Sequence, residues 1–501
     1  MVIDLGSAGG LLVALLPEFL LTMWGCIIML VAGWRHRDAS DQRFAGQLSI
    51  AAFLTALIAV LWMWVMDARA NAGAHIVALD AFRYASSAVF LLGALLASFL
   101  SLGYVGRERI LAPEYYVLLV FSTVGMMMMA AAADLLLVFL ALEVMSVSVY
   151  VLVGINRRSV HGAEGALKYF LLGAFASGFL LYGVALIYGA TGTTNLSLID
   201  YRTASLGVSP MLLAGVALLL VGFGFKVAAV PFHMWTPDVY DGAPTPITAF
   251  MAAAVKAAGF AALVRILIHA LGDSAAVWQQ ALWWLAVLTM VGGNLMALAQ
   301  RGIKRMLAYS SIGHAGYLLT ATASGTETGA GAFLFYALAY TLMTIGAFAV
   351  VGVVGRNGER DLQIDDFAGM ANRRPWLALA MAIFMLSLLG FPGTAGFIAK
   401  WFVLSASIEA GQWSLAIVLV VASVFSAGYY LPVIMEMYMR PPRVETSHEQ
   451  SVATGATRWV VAATAVALLV FGFWPQPALN VARDASQDLR PAVEFTTVGS
   501  E

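Results

Sequence analysis

The sequence predicts an all-α protein that crosses a membrane many times, and three observations lead to this fold class. Apolar side chains make up 61% of the 501 residues and charged side chains 11%, whereas charged residues are about 25% of a typical globular protein. The mean hydropathy of the chain is +0.86. Apolar runs of the length that spans a bilayer as a helix, about 20 residues, recur along the chain. Together these observations exclude a soluble multidomain protein.

Each predicted spanning helix corresponds to one of fourteen apolar segments, and no long polar segment lies between them. Asp134 alone separates the fourth segment from the fifth, and Phe391-Pro392-Gly393 interrupts the twelfth, which is too long for one straight helix. The segments are residues 11–33, 48–66, 83–105, 114–132, 134–154, 165–190, 209–230, 244–270, 277–299, 303–323, 329–354, 375–407, 413–437 and 459–475.

Composition also excludes several kinds of chemistry for this chain. The net charge of −1 provides no basic field for a nucleic-acid partner. The single cysteine, Cys26, excludes a disulfide framework, a cysteine zinc site and a thiolate-held iron–sulfur cluster. No glycine-rich phosphate loop stands between a strand and a helix, and no histidine pair has an obvious haem spacing. We therefore expect the chain to bind no metal, nucleotide or other cofactor, and to be surrounded by the lipid bilayer.

Basic residues predict which ends of the helices share a side of the membrane, because Lys and Arg accumulate in cytoplasmic loops. Seventeen of them follow odd-numbered spans, and six lie on the opposite side. This bias supports an even number of spans with both termini outside.

The lysines are distributed differently from the arginines. Lys168, Lys226, Lys256 and Lys400 lie within apolar segments, while the 22 arginines lie outside the hydrophobic centres. A desolvated lysine can release its proton, whereas arginine stays protonated. The segregation therefore predicts titratable amines inside the membrane. For Lys168, near a helix end, the alternative is an ammonium that extends into the headgroup region.

Carboxylates and histidines supply candidate partners for these amines. Glu143 lies deep in the fifth span, and Glu164 precedes Lys168 by four residues, on the same helix face. His314 and His233 lie in or beside apolar segments and could relay protons near neutral pH. The alternatives are a solvated ion pair for Glu164 and hydrogen-bonded core side chains for the histidines.

Two spans contain helix breakers beside a lysine, which predicts an internal repeat. Lys226 precedes Val230-Pro231-Phe232-His233, and Lys400 follows Phe391-Pro392-Gly393. In a membrane, such breaks are tolerated only inside protein or around water, and broken helices mark transport sites in inverted-repeat carriers. Spans four to eight and nine to thirteen form two sets of five, each with its fourth member broken. Because five is odd, the sets must be inverted, and His314 stands opposite Glu143.

This organisation predicts four parts. Residues 1–110 form a three-helix segment, and residues 111–272 form the first five-helix set, broken near 226–237. Residues 273–440 form the second set, broken near 390–397, and residues 441–501 form a cytoplasmic loop, the last span and a C-terminal tail.

Five motifs resemble the antiporter-like membrane subunits of the proton-pumping NADH:quinone oxidoreductase, respiratory complex I. They cover nearly the whole chain: Phe139-Leu-Ala-Leu-Glu143, Gly162-Ala-Glu164-Gly-Ala-Leu-Lys168, Lys226 through Pro231-Phe-His233-Met-Trp-Thr-Pro237-Asp238, Lys304-Arg-Met-Leu-Ala-Tyr-Ser-Ser-Ile-Gly-His314 and Gly390-Phe-Pro-Gly-Thr-Ala-Gly-Phe-Ile-Ala-Lys400. Within this family the chain is most similar to the subunits termed N, on Leu15-Leu16-Pro17-Glu18, the lysine at position 400 and Phe473-Trp-Pro475-Gln-Pro477.

The resemblance implies a proton path in a bacterial inner membrane. Glu143 would pair with Lys226, Lys256 would be the central relay, and Lys400 would face the second half-channel. Lys168 and Glu164 resemble additional charges near the cytoplasmic side. NADH and quinone would be used by other polypeptides of the complex, and the partners would be related antiporter-like subunits and small membrane subunits.

Three alternatives share part of this pattern. A sodium/proton antiporter subunit or a membrane subunit of a proton-pumping hydrogenase would have the same lysines and broken helices. A stand-alone carrier of an organic solute would transport without partners. A structural scaffold would contain the lysines passively.

Overall fold

The computed structural model describes residues 1–34, 39–71, 75–110, 112, 114–355, 362–442 and 454–489. Regular structure in these ranges is almost entirely helical; the named strands, Val2–Ile3 (β1) and Arg69–Ala70 (β2), pair in parallel. Eleven of the described helices are long and apolar enough to cross a membrane. The predicted fold class, an all-α protein with many membrane spans, is confirmed. Six of the arginines used to predict sidedness lie outside the described residues: Arg35, Arg37, Arg356, Arg360, Arg443 and Arg490.

The helices follow the predicted segments closely. The N-terminal part and the first five-helix set contain Ala8–Ala14 (α1), Leu16–Trp34 (α2), Ala39–Val65 (α3), Ala81–Arg107 (α4), Glu114–Ala131 (α5), Leu135–Val153 (α6), Val160–Thr191 (α7), Leu196–Leu206 (α8), Pro210–Lys226 (α9), Thr236–Gly242 (α10), Thr245–Phe250 (α11) and Lys256–Arg265 (α12). Two π-helical turns, Met251–Val255 and Ile266–Ala270, flank α12 and make Thr245–Ala270 one continuous helix.

The second set and the C-terminal part follow. They contain Gln279–Leu298 (α13), Ile303–Ala323 (α14), Glu327–Val354 (α15), Met370–Arg373 (α16), Pro375–Leu389 (α17), Ala395–Glu409 (α18), Trp413–Met439 (α19), Gly455–Phe473 (α20) and Gln476–Gln487 (α21), with short 3₁₀ turns at Ala275–Val277 and Ile364–Phe367. Each of the fourteen predicted segments contains a helix. The number that cross the membrane stays a prediction, since α9 and α17 end early at breaks and α14 is rich in polar side chains.

Local chemistry explains where two neighbouring spans divide. The Asp134 side chain accepts a hydrogen bond from the backbone N–H of Leu136 at 2.8 Å and so caps the start of α6. This cap separates α6 from α5, as the isolated aspartate in the sequence indicates.

The twelfth span is broken, as predicted. Helix α17 ends at Gly390, whose φ of +88° is a conformation that favours glycine, and α18 begins after Thr394. The seventh span is interrupted between Lys226, the last residue of α9, and Thr236, the first of α10. At each break a lysine lies at the end of an interrupted helix: Lys226 ends α9, and Lys400 bonds to the last residue of α17.

The core of the bundle is the helix Thr245–Ala270, whose most apolar window is completely buried inside the protein. Helix α15 is 83% buried over the same length, whereas α2, α7, α19 and α20 are 33% buried and present most of their surface outward. The last helix of the first set therefore lies at the centre of the molecule, packed against α4, α5 and α15.

Two isolated backbone pairings give a register between the two sets. Asp134 pairs with Asn195 and Gly302 pairs with Gln363, both antiparallel. The difference is the same for both members, because 302 minus 134 and 363 minus 195 both give 168. Carried along α6 and α14, this offset places His314 opposite Ser146, one helical turn from Glu143. The predicted match of His314 with Glu143 and the inverted orientation of the sets both stay predictions.

Candidate functional site

Three of the four lysines singled out in the sequence are buried in the centre of the bundle. Lys226 ends α9, Lys256 begins α12 and Lys400 lies on α18, and they are 4%, 2% and 7% exposed. The side chain of Lys168, on α7, is 42% exposed. The structure thus separates Lys168 from the buried amines, and its ammonium is bonded to the carboxylates of Glu164 and Asp238.

Hydroxyl groups hold the Lys226 amine. Its Nζ donates to Ser146 Oγ at 2.8 Å and to Tyr169 Oη at 3.4 Å, and it lies 5.5 Å from the centre of the Tyr169 ring. A neighbouring ring, that of Tyr150, has its centre 5.8 Å away. An ammonium gains favourable electrostatic energy from both ring faces.

Glu143 does not contact Lys226 directly. Its carboxylate accepts a hydrogen bond from Ser177 Oγ, across the α6–α7 interface. Both residues belong to the described part of the chain, and no nitrogen–oxygen distance of 4.0 Å or less joins them. The direct ion pair implied by the family resemblance is therefore not present in this structure. Instead, Ser177 donates to Glu143, and Lys226 donates to Ser146.

A small cavity lies between Lys226 and Ser177, the serine that bonds to Glu143. Its lining includes Ser177, Lys226 and Tyr150, and its volume is about 10 Å³, which is close to the space that one water molecule needs. Gly173 keeps this region open, because a Cβ there would lie 2.1 Å from Tyr150 Oη. A single water in this cavity would have an amine and hydroxyl groups as partners.

Lys256 bonds to the second set rather than to the first. Its Nζ donates to the carbonyl oxygen of Ser311 at 2.6 Å and to the Ser311 hydroxyl. Ser311 is on α14, and the neighbouring Ser310 hydroxyl is hydrogen-bonded to Tyr430 Oη on α19. Lys256 is thereby bonded to Ser311 of α14, next to the Ser310 hydroxyl that pairs with Tyr430.

His314 is held between two tyrosines. Its Nδ1 lies 2.7 Å from Tyr336 Oη and its Nε2 lies 3.1 Å from Tyr430 Oη. The imidazole is 1% exposed, so it is a hydrogen-bonded core histidine, as the structural alternative expects. Because Tyr430 also bonds to Ser310, the same side chain continues the row of polar groups that begins at Lys256.

Lys400 lies at the break of the twelfth span. Its Nζ donates to the carbonyl oxygen of Leu389 at 2.8 Å and lies 4.8 Å from the centre of the Tyr317 ring. Leu389 is the last residue of α17, and a cation is favoured at the C-terminal end of a helix. Gly390 also gives this side chain room, because a Cβ there would be 2.9 Å from Lys400 Cδ.

A charged cluster lies at the surface of the protein, beyond the break that follows Lys226. We call it the Asp238 cluster, and it consists of Glu164, Lys168, Asp238 and Arg305. Lys168 contacts Glu164 at 2.6 Å and Asp238 at 2.7 Å, and Arg305 contacts Asp238 at 2.9 Å. Partial burial alone would raise the pKa of the Asp238 carboxyl, but the hydrogen bonds and charges of Lys168 and Arg305 outweigh it and lower that pKa. Asp238 thus joins α7 of the first set to α14 of the second.

One aromatic layer separates the Asp238 cluster from the first buried amine. The Trp235 ring stacks on the Tyr169 ring, with centres 4.3 Å apart and planes 10° from parallel, and Tyr169 Oη bonds to Lys226. Trp235 Nε1 donates to the carbonyl oxygen of Phe225 at 3.0 Å. These rings lie between the half-exposed charges and the amine.

His233 lies apart from this arrangement. It is half-buried in the break between α9 and α10, and within the described residues its Nδ1 is a buried atom without a hydrogen-bond partner. No hydrogen bond that the structure gives this side chain leads to Lys226, Lys256 or Lys400.

The candidate residues taken from the sequence did not include the hydroxyl partners of Glu143, His314 and the buried lysines. They also did not include Asp238 and Arg305 of the Asp238 cluster. Asp238 stands in a quoted motif beside the break, and Ser146 lies one turn after Glu143, so the positions of both residues were signals. Ser177 and Tyr336 lie on the helices that follow those of Glu143 and His314, and Tyr430 lies on α19, 116 residues from His314. Nothing in the local pattern marks these three residues.

The chain as a whole is similar to known membrane proteins. The family profile described as "NADH:quinone oxidoreductase/Mrp antiporter, TM" matches residues 132–426. A protein named NADH-quinone oxidoreductase subunit N from Gemmatimonas aurantiaca is 47% identical over 501 aligned residues, which cover 97% of this chain and 96% of that protein.

Two solved structures extend the similarity to the fold. A chain of respiratory complex I from Thermus thermophilus, solved with bound aureothin, has a TM-score of 0.79 and 36% identity, covering 93% of this chain and 99% of that chain. A chain of the membrane-bound sulfane sulfur reductase, an archaeal respiratory membrane complex, has a TM-score of 0.83 and 28% identity, covering 95% and 97%.

Proposed function

Because this chain belongs to the NADH:quinone oxidoreductase/Mrp antiporter transmembrane family, we propose that it is subunit N of a proton-pumping NADH:quinone oxidoreductase. NADH oxidation and quinone reduction take place on other subunits, and this chain moves protons across the membrane. Its partners are related antiporter-like subunits and small membrane subunits. It lies in the inner membrane of a bacterium with both termini on the periplasmic side, which the arginine distribution supports.

One observation carries this proposal: three amines are buried in the bundle, and hydroxyl groups and backbone carbonyls bond them instead of carboxylates. A buried ammonium without a carboxylate partner is costly in a membrane, so such lysines indicate a functional site. Amines, hydroxyls and imidazoles can each both give and accept a proton. The arrangement therefore provides exchangeable sites from Lys226 through Lys256 to His314 and Lys400.

We assign a role to each group along this path. Protons reach Lys226 from the Asp238 cluster, with Lys168 and Glu164 at the cytoplasmic mouth, past the rings of Tyr169 and Trp235. Glu143 sets the affinity of Lys226 for its proton through Ser177, Ser146 and the intervening cavity.

The second part of the path begins where the two buried amines come close. Lys226 packs against Gly259, where a Cβ would be 3.4 Å from Lys226 Cγ, and Gly259 is one turn from Lys256 on the same helix. From Lys256 the proton passes along Ser311 and Ser310 to Tyr430 and His314, and Lys400 opens toward the other side. His233, with its free Nδ1, lines the break beside Lys226.

Lys256 provides the decisive test. In the assembled complex, Lys256→Ala should abolish most proton pumping that is driven by NADH oxidation, while the subunits still co-purify. Lys256→Arg should also fail, because arginine keeps the charge but does not release its proton. Normal pumping by an assembled Lys256→Ala complex would remove Lys256 from the path.

A matched control uses another buried lysine. Lys304 is 4% exposed and donates to the carbonyl oxygen of Ala243 at 2.9 Å, apart from the path. Lys304→Ala should lower the thermal stability of the complex but retain pumping per assembled complex. Measuring both variants in sodium-free buffer also separates this function from sodium/proton antiport, which requires sodium.

A further inference from the structure

A groove lies at the arginine-rich end of the bundle, between α2, α5 and the turn that follows α6. Its volume is about 770 Å³, within the range of small-molecule sites. Three arginines line it, namely Arg109, Arg157 and Arg158, and all three are exposed. None of the three buried amines, and no other residue assigned to the proton path, is among its described lining residues.

The arginines of this groove are not neutralised by the protein. Within the described residues, no carboxylate oxygen lies within 4.0 Å of any of the three guanidinium groups. Among the described lining residues, Glu114, at the start of α5, is the acidic side chain. These residues therefore carry an excess of two positive charges, which is complementary to an anion.

Apart from Asn156, the rest of the described lining is apolar, and it continues onto the lateral surface of the bundle. Met29, Ile110, Val117 and Leu118 form walls of the groove. Met29 is 52% exposed and the adjacent Leu30 is 71% exposed on α2, a helix long and apolar enough to span the membrane. Cationic groups at a helix end above an apolar surface match the two parts of an anionic phospholipid, and basic pockets between membrane helices bind such headgroups.

We propose that this groove binds an anionic phospholipid, with its phosphate among Arg109, Arg157 and Arg158 and its acyl chains along Met29 and Leu30 of α2. This proposal does not depend on the function of the chain. It makes one anionic lipid an integral part of the surface formed by α2, α5 and the α6–α7 turn.

The test compares two triple variants of the whole purified complex in nanodiscs of phosphatidylcholine. The first is Arg109→Gln, Arg157→Gln and Arg158→Gln. The second removes three exposed arginines elsewhere on the predicted cytoplasmic side, Arg301→Gln, Arg440→Gln and Arg458→Gln, with the same change in charge. The readout is binding of fluorescent phosphatidylglycerol, together with the melting temperature of each complex as a check of folding.

We expect the groove variant to bind phosphatidylglycerol about tenfold more weakly or worse, since each basic residue near a phosphate adds a large factor, and the second variant to bind as the parent does. Glu114→Gln should strengthen binding, which a misfolded groove would not do. Equal binding by parent and both triple variants, equal weakening in both triple variants, or a segment of a neighbouring subunit crosslinked within the groove would each overturn the proposal.

Discussion

The two five-helix sets hold their buried amines in different ways. In the first set, Lys226 bonds to the Ser146 hydroxyl, and a carboxylate, Glu143, lies nearby behind a second serine. In the second set, Lys400 bonds to a backbone carbonyl at the end of a half-helix, and His314 replaces Ser146 in the matching register. The first arrangement allows a nearby negative charge to tune the amine, whereas the second relies on a fixed dipole and an imidazole.

This difference indicates that similar helices perform different steps. A carboxylate whose distance from an amine can change alters the proton affinity of that amine. The C-terminal end of a helix, by contrast, is a fixed dipole whose field does not change with the position of a side chain. We infer that the first set controls when a proton is taken up and that the second set conducts it onward.

The largest expected effect comes from replacing His314, and it is compared with the effect of replacing Ser146, which stands opposite His314 in the first set. His314→Ala should lower proton transfer by about a hundredfold, the lower end of what a positioned acid–base group contributes, because Tyr336 and Tyr430 lose their shared partner. Ser146→Ala should have a much milder effect, since water can replace a hydroxyl. Proton pumping by assembled complexes, measured with a pH-sensitive dye, checks both; equal effects would contradict the division of roles.

The next effect tests the geometry of the second set. Gly390→Ala should destabilise the complex by about 1–2 kcal/mol, since alanine is disfavoured at a φ of +88°, and its Cβ would displace the Lys400 side chain. The melting temperature should fall and pumping should fall with it. Gly411→Ala, at a φ of +74° with open space around it, is the control that shares the backbone strain but leaves Lys400 in place. It should lower the melting temperature while pumping stays near normal.

A smaller effect should follow from releasing the carboxylate of the first set. Ser177→Ala removes the hydroxyl that holds Glu143, so the carboxylate can approach Lys226 and stabilise its charged form. The pH at which pumping is half-maximal should shift to higher values, with a change in rate of about threefold, the size of a lost hydrogen bond. Glu143→Gln should shift it in the opposite direction. Shifts in the same direction would contradict the proposed role of Ser177.

The smallest effect concerns the Asp238 cluster, which links the two sets. Because the pKa of the Asp238 carboxyl is lowered in the folded protein, its contribution is complete at neutral pH and is lost as the pH falls through that lowered value, below about pH 4. Asp238→Asn should cost at most about 1 kcal/mol, since the partners are half-exposed. Melting temperatures of parent and variant should differ at pH 7 and converge in acid; a constant difference would contradict this.

The sequence was sufficient for the features that depend on local chemistry. The helical segments follow from apolar length, the division at Asp134 from a capping side chain, and the two breaks from Pro231 and Pro392 with their flanking residues. The burial of Lys256 follows from its place at mid-span.

The features that depend on distant residues could not be derived in the same way. The hydroxyl partners of Lys256 and His314 come from other helices, 22 to 116 residues away, and serines and tyrosines are too common in apolar helices to be distinctive. Ordinal position fixes a match between the two sets only to within a helical turn, so the order of the spans alone could not settle which residue stands opposite His314. Helix α21 was included in a C-terminal tail, since its length and polarity resemble no membrane span.

The central helix, Thr245–Ala270, has no surface toward lipid over its most apolar length. A piston-like or rocking displacement of that helix would break its packing on every side at once, which close-packed interiors resist. We therefore infer that protons advance past this helix by small rotations of side chains, while the helix keeps its place. A pump built in this way has little to gain from a thinner or softer bilayer.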